Sequence, residues 1–91
     1  PLLRENEAVL ISSSRAMSDE VLRIIAMNRE FTRNYQIKYN LVTNPRTPFS
    51  FVSRLVPHLR EADLKNLLRS KNVTSSVIQA VRQQLQRKVK S

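Results

Sequence analysis

No glycine occurs in these 91 residues. Phosphate-binding loops need glycine for close backbone approach to the ligand, so loops of that kind are excluded. Cysteine is absent too, which removes disulfides, thiol chemistry and thiolate metal sites and leaves stability to core packing. No stretch approaches the ~18 uninterrupted apolar residues of a membrane span, and the N-terminus lacks the basic-then-apolar pattern of a signal peptide. A soluble chain, expected in the cytoplasm, follows. Acidic residues are few: seven Asp and Glu face sixteen Lys and Arg, a net charge of +9. Such an imbalance favours acidic partners, whether nucleic acid, anionic lipid or an acidic protein face.

The charge is uneven. Residues 1–46 carry seven basic and five acidic side chains, residues 47–91 nine and two, so any electrostatic role belongs to the second half. A chain of this length fits one domain, residues 1–91, that buries roughly 60–65% of its unfolded surface, enough for a modest core but not for a large enclosed active site. Because it begins at Pro1 rather than methionine, we read it as the C-terminal fragment of a longer protein.

With no glycine, only four prolines and few consecutive β-branched residues, the composition favours helices joined by short turns. Ser18, Thr32, Thr47 and Thr74 are the expected N-caps, three of them preceded by an apolar residue (Met17, Phe31, Val73) in the manner of a hydrophobic staple. Pro48 after Thr47 suits a first helical position. Asp19, Glu20, Glu61 and Asp63 place negative charge in first turns, where the helix dipole favours it. Apolar stripes at helical spacing (Val21, Leu22, Ile25; Phe51, Val52, Leu55, Val56, Leu59; Leu64, Leu67, Leu68; Val77, Ile78, Val81, Leu85) complete six expected helices, about 4–14, 18–27, 32–43, 47–58, 61–70 and 74–88.

The chain also repeats. A shift of 56 places Ala8, Ile11, Ser14, Arg15, Met17 and Ser18 on Leu64, Leu67, Ser70, Lys71, Val73 and Thr74. The caps at 18, 47 and 74 divide that interval into 29 and 27, which gives a unit of about 28 residues. The expected fold is therefore all-α: three stacked antiparallel αα-hairpins, about 4–27, 32–58 and 61–88, forming a right-handed α-solenoid-like array with a shared core. A simple six-helix globule, its internal matches accidental, is the alternative. In "TNPRTPFSF", positions 43–51, Pro45 stops one helix and Thr47 with Pro48 starts the next, so this stretch reads as a corner rather than a polyproline ligand.

The "NPRTP" corner at 44–48 resembles the turn of leucine-rich repeat variant proteins and, more loosely, of HEAT-like αα-repeats. The run "DEVLRIIAMNREFTRNYQIKYNLVTNPRTPF…HLREADLKNLLRSKNV" resembles a group of uncharacterised bacterial helical-repeat proteins over residues 5–87. The resemblance implies an α-solenoid segment without assigned chemistry. The period of about 28 is longer than that of the variant repeat, and without the cysteines that accompany some such proteins no iron–sulfur site is implied.

Catalytic constellations are missing. His58, the single histidine, lacks a triad or metal set around it and follows Pro57, which bends or ends the helix; it reads as a surface or helix-end residue. The four first-turn carboxylates have a local electrostatic role, and Ser12–Ser14 lack the glycine flanks of a nucleophile elbow. No enzyme activity, cofactor or metal is expected. Tyr35 and Tyr39, four apart and near Phe31, Arg33 and Lys38, offer a stacking surface for single strands or, as the stronger reading, core packing. The basic residues Arg54, Arg60, Lys65, Arg69 and Lys71, followed by Arg82, Arg87, Lys88 and Lys90, form the candidate surface for an anionic partner. A solvated face without a ligand, an acidic protein surface and a nucleic-acid backbone remain open as its use. A first helix lacking its upstream neighbour is expected to expose an apolar face, through which two copies can pair.

Overall fold

A computed structural model describes residues 3–90, with side chains up to Arg87. The described chain is all-helical: α1 Glu5–Ser13, α2 Asp19–Met27, α3 Arg29–Thr32, α4 Tyr35–Thr43, α5 Phe49–Leu55, a 3-10 turn Val56–His58, α6 Glu61–Arg69 and α7 Ser75–Lys90. Among the described residues there is no strand and no helix long and apolar enough to cross a membrane.

Two of the expected N-caps form as read. The Ser18 hydroxyl accepts the Val21 N–H at 3.3 Å and the Thr74 hydroxyl accepts that of Val77 at 3.4 Å. Asp19 and Glu20 stand in the first turn of α2, Glu61 and Asp63 in that of α6.

The other two caps are corrected, and with them the helix count. Thr32 ends a helix instead of starting one: α3 is a separate turn capped by the Asn28 carboxamide, which accepts N–H groups from Glu30 (2.9 Å) and Phe31 (3.2 Å). The Thr32 hydroxyl donates back to the carbonyls of Asn28 and Arg29. The helix expected from 32 therefore begins at Tyr35, with Asn34 as its cap on the Ile37 N–H at 3.2 Å. At the next corner the N-cap position belongs to Pro48, which has no side-chain acceptor. Thr47 lies one residue earlier, buried, and its hydroxyl has no hydrogen-bond partner among the described residues. Pro57 splits the helix expected over 47–58 into α5 and the 3-10 turn, since its ring excludes the i−4 carbonyl contact of a continuing α-helix.

The missing glycine bears on how three of the helices end. Helices commonly stop with a left-handed residue, usually glycine, but no described residue has positive φ. Instead Ser14, Asn44 and Ser70 close α1, α4 and α6 in extended conformation (ψ 124°, 117° and 132°). The side chain of each then accepts an N–H two residues on: Ala16 to Ser14 Oγ (3.3 Å), Arg46 to Asn44 Oδ1 (3.0 Å) and Asn72 to Ser70 Oγ (3.3 Å). These are turns of the Ser/Asn type in which a side chain replaces a backbone acceptor. They recur 30 and then 26 residues apart, not 29 and 27, because Pro48 rather than Thr47 matches Ser18 and Thr74. Thr47 thus occupies the register of Met17 and Val73, at the staple position before the cap.

One core runs through all of this. Ala8 of α1, Leu22 and Ile25 of α2, Ile37, Leu41 and Val42 of α4, Val52 and Leu55 of α5, Leu64 and Leu67 of α6, and Val77 and Val81 of α7 belong to a single buried cluster. The expected burial of Leu55, Leu67 and Val81 is found, whereas Leu68, counted in the same stripe, is 37% exposed. α1 packs along α4, and α5 and α6 both pack against α7. The resulting body measures 43 × 24 × 19 Å.

Candidate functional site

Short side chains let α1 and α4 approach closely, and a polar seam forms between them. Ser12, fully buried, donates to the Val9 carbonyl at 2.9 Å and accepts from Asn40 Nδ2 at 3.2 Å. Asn40 Nδ2 also reaches the Val9 carbonyl (3.0 Å), and Asn44 Nδ2 reaches the carbonyls of Ser12 (2.9 Å) and Ser14 (3.0 Å). The Ser12 carbonyl in the last turn of α1, which has no intrahelical partner, is thereby satisfied from the neighbouring helix. The serine run at 12–14 is structural throughout, since Ser13 Oγ donates to the Leu10 carbonyl and Ser14 holds the corner.

A second link joins the start of α4 to the start of α6. The Tyr35 hydroxyl accepts the Arg60 N–H at 2.9 Å and donates to Asp63 Oδ2 at 2.5 Å. Arg60 in turn lays its guanidinium over the Tyr35 ring, 4.3 Å from the centroid. Burial, and next the hydrogen bond to Asp63, push the Tyr35 hydroxyl above the ordinary tyrosine pKa, against the opposing Arg60 N–H. Earlier in the chain, Glu5 at the start of α1 accepts from Asn34 Nδ2, the N-cap of α4, at 2.5 Å. In both places the first residue of one helix holds the N-cap of the next. Phe31, Tyr35 and Tyr39 all pack partly buried against the core, in keeping with packing as the role of these aromatics.

Against this framework the basic residues divide. Arg60 is held by Tyr35. Lys65 Nζ lies 3.3 Å from Glu61 Oε2, an exposed i,i+4 pair of the kind that adds little stability. Arg54 on α5, Arg69 at the end of α6, Lys71 in the following corner, and Arg82 and Arg87 on α7 are exposed, and none makes a side-chain hydrogen bond or ion pair among the described residues. Lys88 and Lys90 lie on α7 with side chains outside the described residues. Lys65 and Arg69 share one stripe of α6 by their four-residue spacing.

Arg54 does not join that stripe. It lines a hollow of about 230 Å³ with Lys38 of α4 and His58 of the 3-10 turn, a convergence that sequence spacing did not disclose because the three stand on separate elements. Arg87 lines a different, wider depression of about 410 Å³ between α5 and α7, with Gln79, Gln83, Gln84 and the half-exposed Phe49. Among the described residues no group of three or more His, Asp or Glu side chains converges as a metal site. Comparison of the chain with family models, curated proteins and solved structures finds no match.

Proposed function

We propose that this chain is a segment of an α-solenoid-like array, three stacked helix pairs that resemble bacterial helical-repeat proteins, acting as a non-catalytic docking module in the cytoplasm. Its third unit, from α6 through the corner to α7, holds an acidic surface of another protein. One observation carries the reading: Arg69, Lys71, Arg82 and Arg87 face water without partners, while Arg60 and Lys65 beside them are engaged within the fold. The threefold corner at Ser14, Asn44 and Ser70 and the matched links Glu5–Asn34 and Tyr35–Arg60 support the repeating arrangement. The exposed Leu10, Ile24 and Met27 on α1 and α2 are the apolar face through which two copies pair in this reading.

The same cations favour a second reading, a module that binds nucleic acid through its phosphates. Fluorescence anisotropy with two probes, a poly-glutamate peptide and a random duplex oligonucleotide, separates them. The first reading expects saturable binding of the peptide that Arg69→Glu with Arg82→Glu abolishes in a folded protein. The second expects the duplex to bind more tightly, with log affinity falling against log salt by about 0.9 per neutralised phosphate. Neither probe binding at low salt rejects both.

A further inference from the structure

The hollow at Lys38, Arg54 and His58 is lined by α2, α3, α4, α5 and the 3-10 turn and shares no residue with the α6–α7 surface. Its wall is Ala26 of α2, Thr32 of α3, Lys38 of α4, Phe51, Arg54 and Leu55 of α5, and His58 of the 3-10 turn. Two cations and an imidazole from three elements line it, and among the described residues no carboxylate does. None of the three side chains has a hydrogen bond or ion pair among the described residues. Lys38 and Arg54 bring two positive charges to the wall of the hollow, which therefore favours an anion over a cation.

The remaining wall narrows the chemistry. The Thr32 hydroxyl hydrogen is committed to the carbonyls of Asn28 and Arg29, so Thr32 presents only an acceptor. Ala26, Phe51 and Leu55 supply an apolar side. A planar carboxylate is satisfied by one arginine fork, whereas donors approaching from three elements match the three free oxygens of a phosphate monoester. At about 230 Å³ the hollow is smaller than a drug-sized pocket and takes a phosphate with one attached ring.

We infer that this hollow binds a small phosphate monoester bearing an aromatic ring, its phosphate between Lys38, Arg54 and His58 and its ring against Phe51 and Leu55. The site does not depend on the docking surface proposed above. Titration of the 15N-labelled chain with phenyl phosphate, inorganic phosphate and benzoate tests it by amide shifts. Phenyl phosphate is expected to saturate first and to move Thr32, Lys38, Arg54 and His58. Lys38→Gln and Arg54→Gln are each expected to weaken it about tenfold, the loss of one charge-assisted hydrogen bond. Arg87→Gln, in the other depression, leaves that affinity unchanged. Shifts spread evenly over Arg69, Lys71 and Arg82, equal affinity for benzoate, or no saturation at millimolar ligand overturns the assignment. The failure of the peptide and duplex probes at α6–α7 has no bearing on this result.

Discussion

Two residues of the middle corner, three apart, behave in opposite ways. Thr47 buries a hydroxyl with no partner, a group that costs about 1–3 kcal/mol to desolvate unpaired. Thr47→Val keeps the shape and removes the hydroxyl, so chemical denaturation is expected to give a protein more stable by about 1 kcal/mol. A loss of stability would show that the hydroxyl has a partner after all. Asn44 is the reverse case, because its amide satisfies the carbonyls of Ser12 in α1 and of Ser14, its C-cap, while its oxygen holds its own corner. Asn44→Ala leaves those buried acceptors orphaned and is expected to cost about 2–4 kcal/mol, well beyond the about 1 kcal/mol of Ser70→Ala, whose oxygen serves only its corner. Equal losses in the two variants would remove the polar seam from the list of stabilising contacts.

Among the elements, Tyr35 ties α4 to the first turn of α6. Its raised pKa means that the folded state favours the protonated hydroxyl. For a group raised on folding, the stability it contributes is complete below the ordinary tyrosine value, about 10, and is lost as pH rises through the raised value. Stability of the native chain is therefore expected to fall on the alkaline side of pH ~10 more steeply than that of Tyr35→Phe. Parallel alkaline limbs in denaturation curves of the two proteins would contradict this. At neutral pH the same substitution is expected to cost about 1 kcal/mol through the two hydrogen bonds it removes.

The elements also show what could be read from the chain beforehand. Four of the six expected spans matched closely because their marks are local: a hydroxyl before an acidic pair at Ser18, a staple at Val73, a periodic stripe along Leu64 and Leu67. Thr32 misled because threonine donates backwards to carbonyls as readily as it caps forwards, and the nearby asparagines Asn28 and Asn34 hold the true starts. Thr47 misled because the proline after it takes the cap position without any side-chain bond. The seam at Asn40 and Asn44, the Tyr35 link and the meeting of Lys38 with Arg54 and His58 all join residues from separate helices. No helical period relates such residues, so no local pattern announces them.

At the scale of the molecule, one core has to hold every helix together. Leu67 is 1% exposed in the last turn of α6, and Leu67→Ala is expected to cost about 2–5 kcal/mol. That is a large share of the about 5–15 kcal/mol available to a domain, so thermal unfolding of the variant is expected to begin well below that of the parent. A near-neutral result would place Leu67 outside the shared core. The charge has a different distribution from the core: Arg69, Lys71, Arg82 and Arg87 are exposed, and their removal is expected to change binding while leaving the melting temperature in place.

The corners built without left-handed residues carry an evolutionary consequence. Where a bend depends on positive φ, almost any mutation of its glycine is punished. Here each bend is closed by an oxygen-bearing side chain at 14, 44 or 70, with Asn44 also tied to Ser12 and Ser14 through its amide, and the intervening tips Arg15, Ala16, Pro45, Arg46, Lys71 and Asn72 stand exposed in ordinary conformations. Substitution at these tips, apart from the helix-stopping Pro45, is therefore expected to alter the chemistry displayed at the corners while the scaffold keeps its shape.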